Sequence, residues 1–174
     1  MQGYSYSVFS LVAIAVHLII NFNMLASRGI VTDRGARYRG FLFGVLAYYI
    51  ADAAWGVLAG LGWTRLLYVD TILYFLSLAV FALLLGRFVI AYIGLGKWTA
   101  GLITWASYVF LAINVILLVA NFFNGCFFYF DGNGKYLCGS MRDPVFDLLI
   151  ALNLLISAVV FAKAISGGDR KSVV

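Results

Sequence analysis

The sequence predicts an all-α, polytopic membrane helix bundle of about five transmembrane helices, with an external hairpin loop between the fourth and fifth. Three observations carry this. Of the 174 residues, 64% are apolar and only 11% are charged, whereas a water-facing surface needs roughly 25% charged residues. Mean hydropathy is +1.01. The apolar residues also gather into five stretches, each near the roughly 20 residues that cross a hydrocarbon core about 30 Å thick. Residues 1–174 therefore read as a single transmembrane domain with no room for a soluble catalytic one. Membrane lipid is the expected partner of its outer face.

The first stretch covers about residues 4–27. It lacks the basic n-region and small-residue cleavage site of a signal peptide, and it reads as a retained helix. A basic polar loop, Arg28–Gly40, leads to the second helix over about 41–62. The short turn Trp63-Thr64-Arg65 joins it to the third, over about 66–93. Gly94-Leu95-Gly96-Lys97 breaks the pattern before the fourth, about 101–123. The fifth covers about 145–166, where Pro144 suits a first helical turn and Asp143 is placed to cap it.

Basic residues set the expected orientation. With Arg28–Gly40 inside, the inner side receives Arg28, Arg34, Arg37, Arg39, Arg87, Lys97, Lys163, Arg170 and Lys171. The outer side receives Arg65, Lys135 and Arg142. This predicts a multi-pass cell-membrane protein with its N-terminus outside and its C-terminus cytoplasmic. The net charge of +5 then faces an anionic inner leaflet. No nucleic-acid partner is expected, because the basic residues form no surface separate from the membrane flanks.

Between helices four and five, aromatic runs flank Asp131-Gly132-Asn133-Gly134, which reads as a hairpin turn. Cys126 and Cys138 fall in this loop, on the oxidising side. A disulfide closing the hairpin is expected; the alternative is two free thiols in a hairpin ordered by its aromatic residues. With no second cysteine pair and no nearby histidine, the loop predicts no metal site.

Ionisable groups inside the hydrocarbon are costly and usually face a bundle interior. Asp52 lies near the middle of helix two, with Tyr48 and Trp55 on the same face by helical spacing. His17, in helix one, falls within about one turn of the same depth counted from the outer helix ends, so antiparallel packing could bring the two together; taken alone, His17 reads as a satisfied interior histidine. Ser107, Asn114 and Asn121 recur every seven residues, forming one polar stripe that either glues helices or contacts a ligand. Gly56 and Gly60 form a small-xxx-small pair. Asp70 and Asp147 lie about one turn inside the outer ends of helices three and five. With Trp55, Tyr74 and the hairpin they could rim an outward-facing pocket. The ligand-binding candidates are thus Asp52, Trp55, Tyr48, His17, Asp70, Tyr74 and Asn114. Asp52 itself either pins two helices, senses a ligand or proton, or couples protons to transport.

Catalytic and cofactor constellations are missing from the sequence. One histidine excludes a bis-histidine haem site within the chain, and no mid-membrane lysine offers a retinal Schiff base. No nucleophile-elbow, Walker or zincin pattern occurs. There is no glutamate. Neither an enzyme nor a cofactor is expected.

Several segments carry a resemblance. They are Tyr38-Arg39-Gly40-Phe41 leading into Leu46-Ala47-Tyr48-Tyr49-Ile50-Ala51-Asp52-Ala53-Ala54-Trp55-Gly56, then Tyr68-Val69-Asp70-Thr71-Ile72-Leu73-Tyr74-Phe75. Asn121-Phe122-Phe123 and Phe128-Tyr129-Phe130-Asp131-Gly132-Asn133-Gly134 extend it. Over about residues 36–160 the chain resembles an uncharacterised multi-helix membrane sensor region. That region precedes GGDEF-type diguanylate cyclase, phosphodiesterase or histidine kinase outputs in clostridial-type bacteria. The resemblance implies an input role in signalling, with a small-molecule ligand and a cytoplasmic output domain, partner protein or second copy of the chain. Such regions usually have more helices and then a soluble output, so this chain is either a truncated sensor or a stand-alone relative. Gly167-Gly168-Asp169 lacks the Glu-Phe of the cyclase motif, and no cyclase or kinase activity is expected of it. The remaining functional classes are a small transporter or channel subunit with a polar intramembrane path, and a purely structural membrane subunit.

Overall fold

The computed structural model describes residues 2–26 and 32–168. It holds five long helices: α1 Gln2–Ala26, α2 Asp33–Leu61, α3 Thr64–Ile93, α4 Lys97–Asn124 and α5 Arg142–Gly168. Two short strands, β1 Phe128–Phe130 and β2 Tyr136–Cys138, lie between α4 and α5. All five helices are long and apolar enough to cross a membrane, so the chain is a multi-pass helix bundle. Large apolar side chains cover its exterior, among them Phe9 at 78% and Phe123 at 87% exposure. Such a surface is stable only against lipid.

Small residues let the helices approach one another, as expected where lipid removes the hydrophobic drive for association. Gly86 of α3 faces Ser107 and Ile103 of α4, so close that a Cβ there would lie 2.8 Å from Ser107 Oγ. Ala79 and Ala82 are buried in the same seam. Gly44 of α2 meets Leu84 of α3 in the same way. The expected Gly56–Gly60 pair is not an interface: Gly56 is buried but Gly60 is exposed.

Helix ends follow local chemistry. Gly62, Gly94 and Gly125 stand in the left-handed region (φ 70°, 65° and 61°) and close α2, α3 and α4, where a side chain would be strained. The α2 start differs from expectation. Thr32 accepts a hydrogen bond from Gly35 N, capping a helix that begins at Asp33 rather than near residue 41. Arg34–Gly40 are therefore helical, with an Asp33–Arg37 ion pair one turn apart. The fifth helix begins at Arg142, so Asp143 lies inside its first turn and binds Arg142 instead of capping.

α1 packs on α2, α2 on α3, α3 on α4, and α5 on both α3 and α4. Neighbours in sequence run antiparallel. The α2/α3 turn, the β-hairpin and the start of α5 share one end of the bundle; the α3/α4 connection lies at the other. The hairpin forms as the sequence predicts, with Phe128 opposite Cys138 and Phe130 opposite Tyr136. Asp131 Oδ1 accepts from the N–H groups of Asn133 and Lys135, an Asx-type turn. It does not hang free: Phe127 and Phe128 are 0% exposed, and the Phe127 ring lies 4.4 Å from that of Phe75. Asn121 Oδ1 accepts from both Phe127 N (2.8 Å) and Phe128 N (2.9 Å). One buried amide of α4 thus clasps the hairpin onto the bundle.

The expected disulfide is not formed. Cys126 and Cys138 are both free thiols. Because Cys138 pairs with Phe128, Cys126 is displaced two residues along the other strand, and Cys138 Sγ instead receives a hydrogen bond from Arg142.

Candidate functional site

A cavity of about 280 Å³ opens where α2, α3, α5 and the hairpin converge. Asp52 and Trp55 line it from α2, and Thr71, Tyr74 and Phe75 from α3. Tyr136 of β2 and Arg142 and Phe146 of α5 complete the wall. Three- and four-residue spacings place each helix's contributors on one face: 52 and 55, 71, 74 and 75, 142 and 146.

Each side chain is held from behind. The indole N–H of Trp55 donates to Thr71 Oγ1 (3.2 Å), and that hydroxyl donates to Leu67 O (2.7 Å). Tyr136 meets the Trp55 ring edge-on at 5.7 Å. The Tyr48 and Tyr74 hydroxyls lie 3.3 Å apart with their rings at 5.3 Å. Asp52 Oδ2 accepts a hydrogen bond from Ser10 of α1, and Ser7 donates to Ala53 O one residue along. Arg142 is paired with Asp143, Nη2 to Oδ1 at 2.8 Å. Burial pushes the Tyr136 phenol above its ordinary value of 10.0, with the Arg142 charge opposing the shift; the hydroxyl stays protonated and able to donate.

Of the residues singled out from sequence, Asp52, Trp55 and Tyr74 line the cavity. Tyr48 stands behind Tyr74. Asp70 is buried beside Thr71, off the lining, with no hydrogen-bond partner for Oδ2 among the described residues. Asp147 is exposed and takes no part. His17 does not meet Asp52. Its Nε2 donates to Leu42 O at 3.1 Å, and Leu42 lies ten residues, about 15 Å, along α2 from Asp52. The α1 and α2 ends are offset rather than flush, in a register running from Ser7 at Ala53 to Asn21 at Tyr38. Asn114 is also remote. The Ser107–Asn114–Asn121 stripe is buried as its spacing predicts. However, Ser107 and Asn114 donate to carbonyls of their own helix, and Asn121 binds the hairpin backbone.

Sequence reading missed Ser10, Thr71, Phe75, Tyr136, Arg142 and Phe146. Thr71 and Phe75 flank Asp70 and Tyr74 and were within reach of a helical-face argument. Tyr136 depends on the hairpin folding back, which no local pattern announces. No protein-family model matches the chain, and no curated protein or solved structure is detectably similar to it.

Proposed function

We propose that this protein is the membrane input module of a bacterial signalling system, binding a small ligand in the cavity at the hairpin end. The cavity carries the reading. It joins α2, α3, the hairpin and α5, so an occupant touching all four would favour one arrangement of the bundle over others. The resemblance noted from the sequence supports a signalling role. The distribution of basic residues supports an outward-facing hairpin: Arg34, Arg37, Arg39, Arg87, Lys97 and Lys163 occupy the opposite end among the described residues, against Arg65, Lys135 and Arg142 at the hairpin end.

The test is ligand-dependent thermal stabilisation of the purified chain in nanodiscs, screened across cationic, neutral and anionic small molecules, beside a flux assay in liposomes. Saturable stabilisation without flux is expected. Flux of the stabilising compound would make the protein a transporter, and stabilisation by none of the compounds would remove the input-module reading. Reporter fusions after Gly96 should read cytoplasmic and fusions at Asn133 external; the reverse result would overturn the orientation.

A further inference from the structure

We infer that the cavity is selective for an organic ammonium ion, with Asp52 as its counter-charge and the Trp55, Tyr74 and Tyr136 rings as its walls. This rests on the ligand-binding reading above and specifies the chemistry of the ligand. Three observations lead to it. First, the lining is aromatic on several sides, with Trp55, Tyr74, Phe75, Tyr136 and Phe146 contributed by four separate elements. Rings arranged around one space present the negative faces of their quadrupoles to a cation, and Trp and Tyr do so best.

Second, Asp52 brings a carboxylate to this apolar space with only the Ser10 hydroxyl bonded to it among the described residues. A carboxylate has about four lone-pair sites, so acceptor capacity remains on the cavity side. Among the described residues no Lys, Arg or His is paired with it. A carboxylate at this depth is expensive unless a positive group joins it, and a bound ammonium would supply that group.

Third, the single cation of the lining is already answered. Arg142 is bound to Asp143 through both Nε (2.9 Å) and Nη2 (2.8 Å), and it also donates to Cys138. The mouth therefore carries a neutralised pair, whereas the Asp52 side carries an open charge. The volume, about 280 Å³, is enough for a small alkylammonium or a choline-sized quaternary ion.

The experiment compares choline with 3,3-dimethylbutan-1-ol, which has the same shape without the charge, using the full chain in nanodiscs. Binding is read by the shift in melting temperature and by Trp fluorescence, with Trp55→Phe locating the optical signal. Saturable binding of choline or tetramethylammonium, at least tenfold tighter than the neutral isostere, is the expected result. Asp52→Asn should weaken it at least tenfold while its unliganded melting temperature stays within a few degrees of the parent's. Equal binding of the neutral isostere, or unchanged choline affinity in Asp52→Asn, would overturn the assignment. If Asp52→Asn fails to fold, Tyr74→Leu and Tyr136→Leu serve instead, and loss of choline selectivity over the isostere is required of both. The two levels fail differently. Stabilisation by neutral or anionic compounds alone refutes ammonium recognition and leaves a ligand site, whereas stabilisation by no class of compound removes both.

Discussion

Replacing Asn121 by Ala should loosen the hairpin selectively, because a single side-chain oxygen serves two backbone donors. The Phe127 and Phe128 N–H groups both end on Asn121 Oδ1, and both residues are fully buried. Leaving a buried donor unsatisfied costs about 1–3 kcal/mol. Two such donors give about 2–6 kcal/mol, and water entering from the hairpin end favours the lower half of that range. The Asn121 Nδ2 group contributes nothing to offset this, since it has no partner among the described residues. The loss should be local: amide hydrogen exchange at 127 and 128 should accelerate by at least about 30-fold, the equivalent of 2 kcal/mol. Amides in the α3–α4 seam around Gly86 should change far less. Trp55 emission should shift as Tyr136 leaves the indole. Unchanged protection at Phe127 and Phe128 in Asn121→Ala would refute the clasp, and uniform acceleration along all helices would refute its local character.

Further perturbations address other features. Gly86→Ala should destabilise the bundle by about 1–3 kcal/mol despite its better helix propensity, because the new Cβ would stand 2.8 Å from Ser107 Oγ; adding Ser107→Ala should recover part of the loss in a double-mutant cycle, and full additivity would exclude the contact. Cys138, exposed and unbridged, should react with an impermeant maleimide without prior reduction, and faster than the half-buried Cys126; labelling that requires reductant would establish a bridge instead. Tyr136 should ionise later than a free phenol in a spectrophotometric titration. Its folded value lies above 10.0, so the folded state favours the protonated form. That contribution is complete below pH 10 and is lost as pH rises through the folded value. Tyr136→Phe should remove that alkaline loss of stability at the hairpin end, and identical alkaline curves for the two proteins would contradict it.

The helices were legible because their signal is one-dimensional: a run of apolar residues bounded by Gly62, Gly94 and Gly125 needs no partner to be read. The early start of α2 was harder, since hydropathy is silent over Arg34–Gly40 and only the capping residue Thr32 marks the boundary. The hairpin could be read from Asp131-Gly132-Asn133-Gly134, and the buried face of α4 from its seven-residue polar spacing. What escaped was register between elements. Asp52 and His17 were each recognisable as polar groups inside the membrane, yet their pairing depended on how far α1 slides along α2, a quantity fixed by Ser7 and Ser10 finding Ala53 and Asp52. The disulfide failed for a similar reason, because a two-residue offset across the strands separates thiols that sequence spacing brings together. Three of the eight residues of the cavity wall come from β2 and α5, and their position follows from packing of Phe127 and Phe128 rather than from any local pattern.

The ladder of polar contacts between α1 and α2 has a consequence for biogenesis. From Ser7 to Asn21 it extends over 14 residues, about 21 Å of helix, and its rungs join Ser7 to Ala53, Ser10 to Asp52, His17 to Leu42 and Asn21 to Tyr38. During synthesis α1 emerges first and has no partner for its serines, histidine or asparagine, while α2 alone would carry Asp52 into lipid at about 2.5–3.5 kcal/mol. Each segment thus makes the other soluble in the bilayer. The two should leave the translocon together as a helical hairpin, and glycosylation mapping should show α2 inserting less completely when α1 is replaced by a polyleucine span than when the native α1 precedes it.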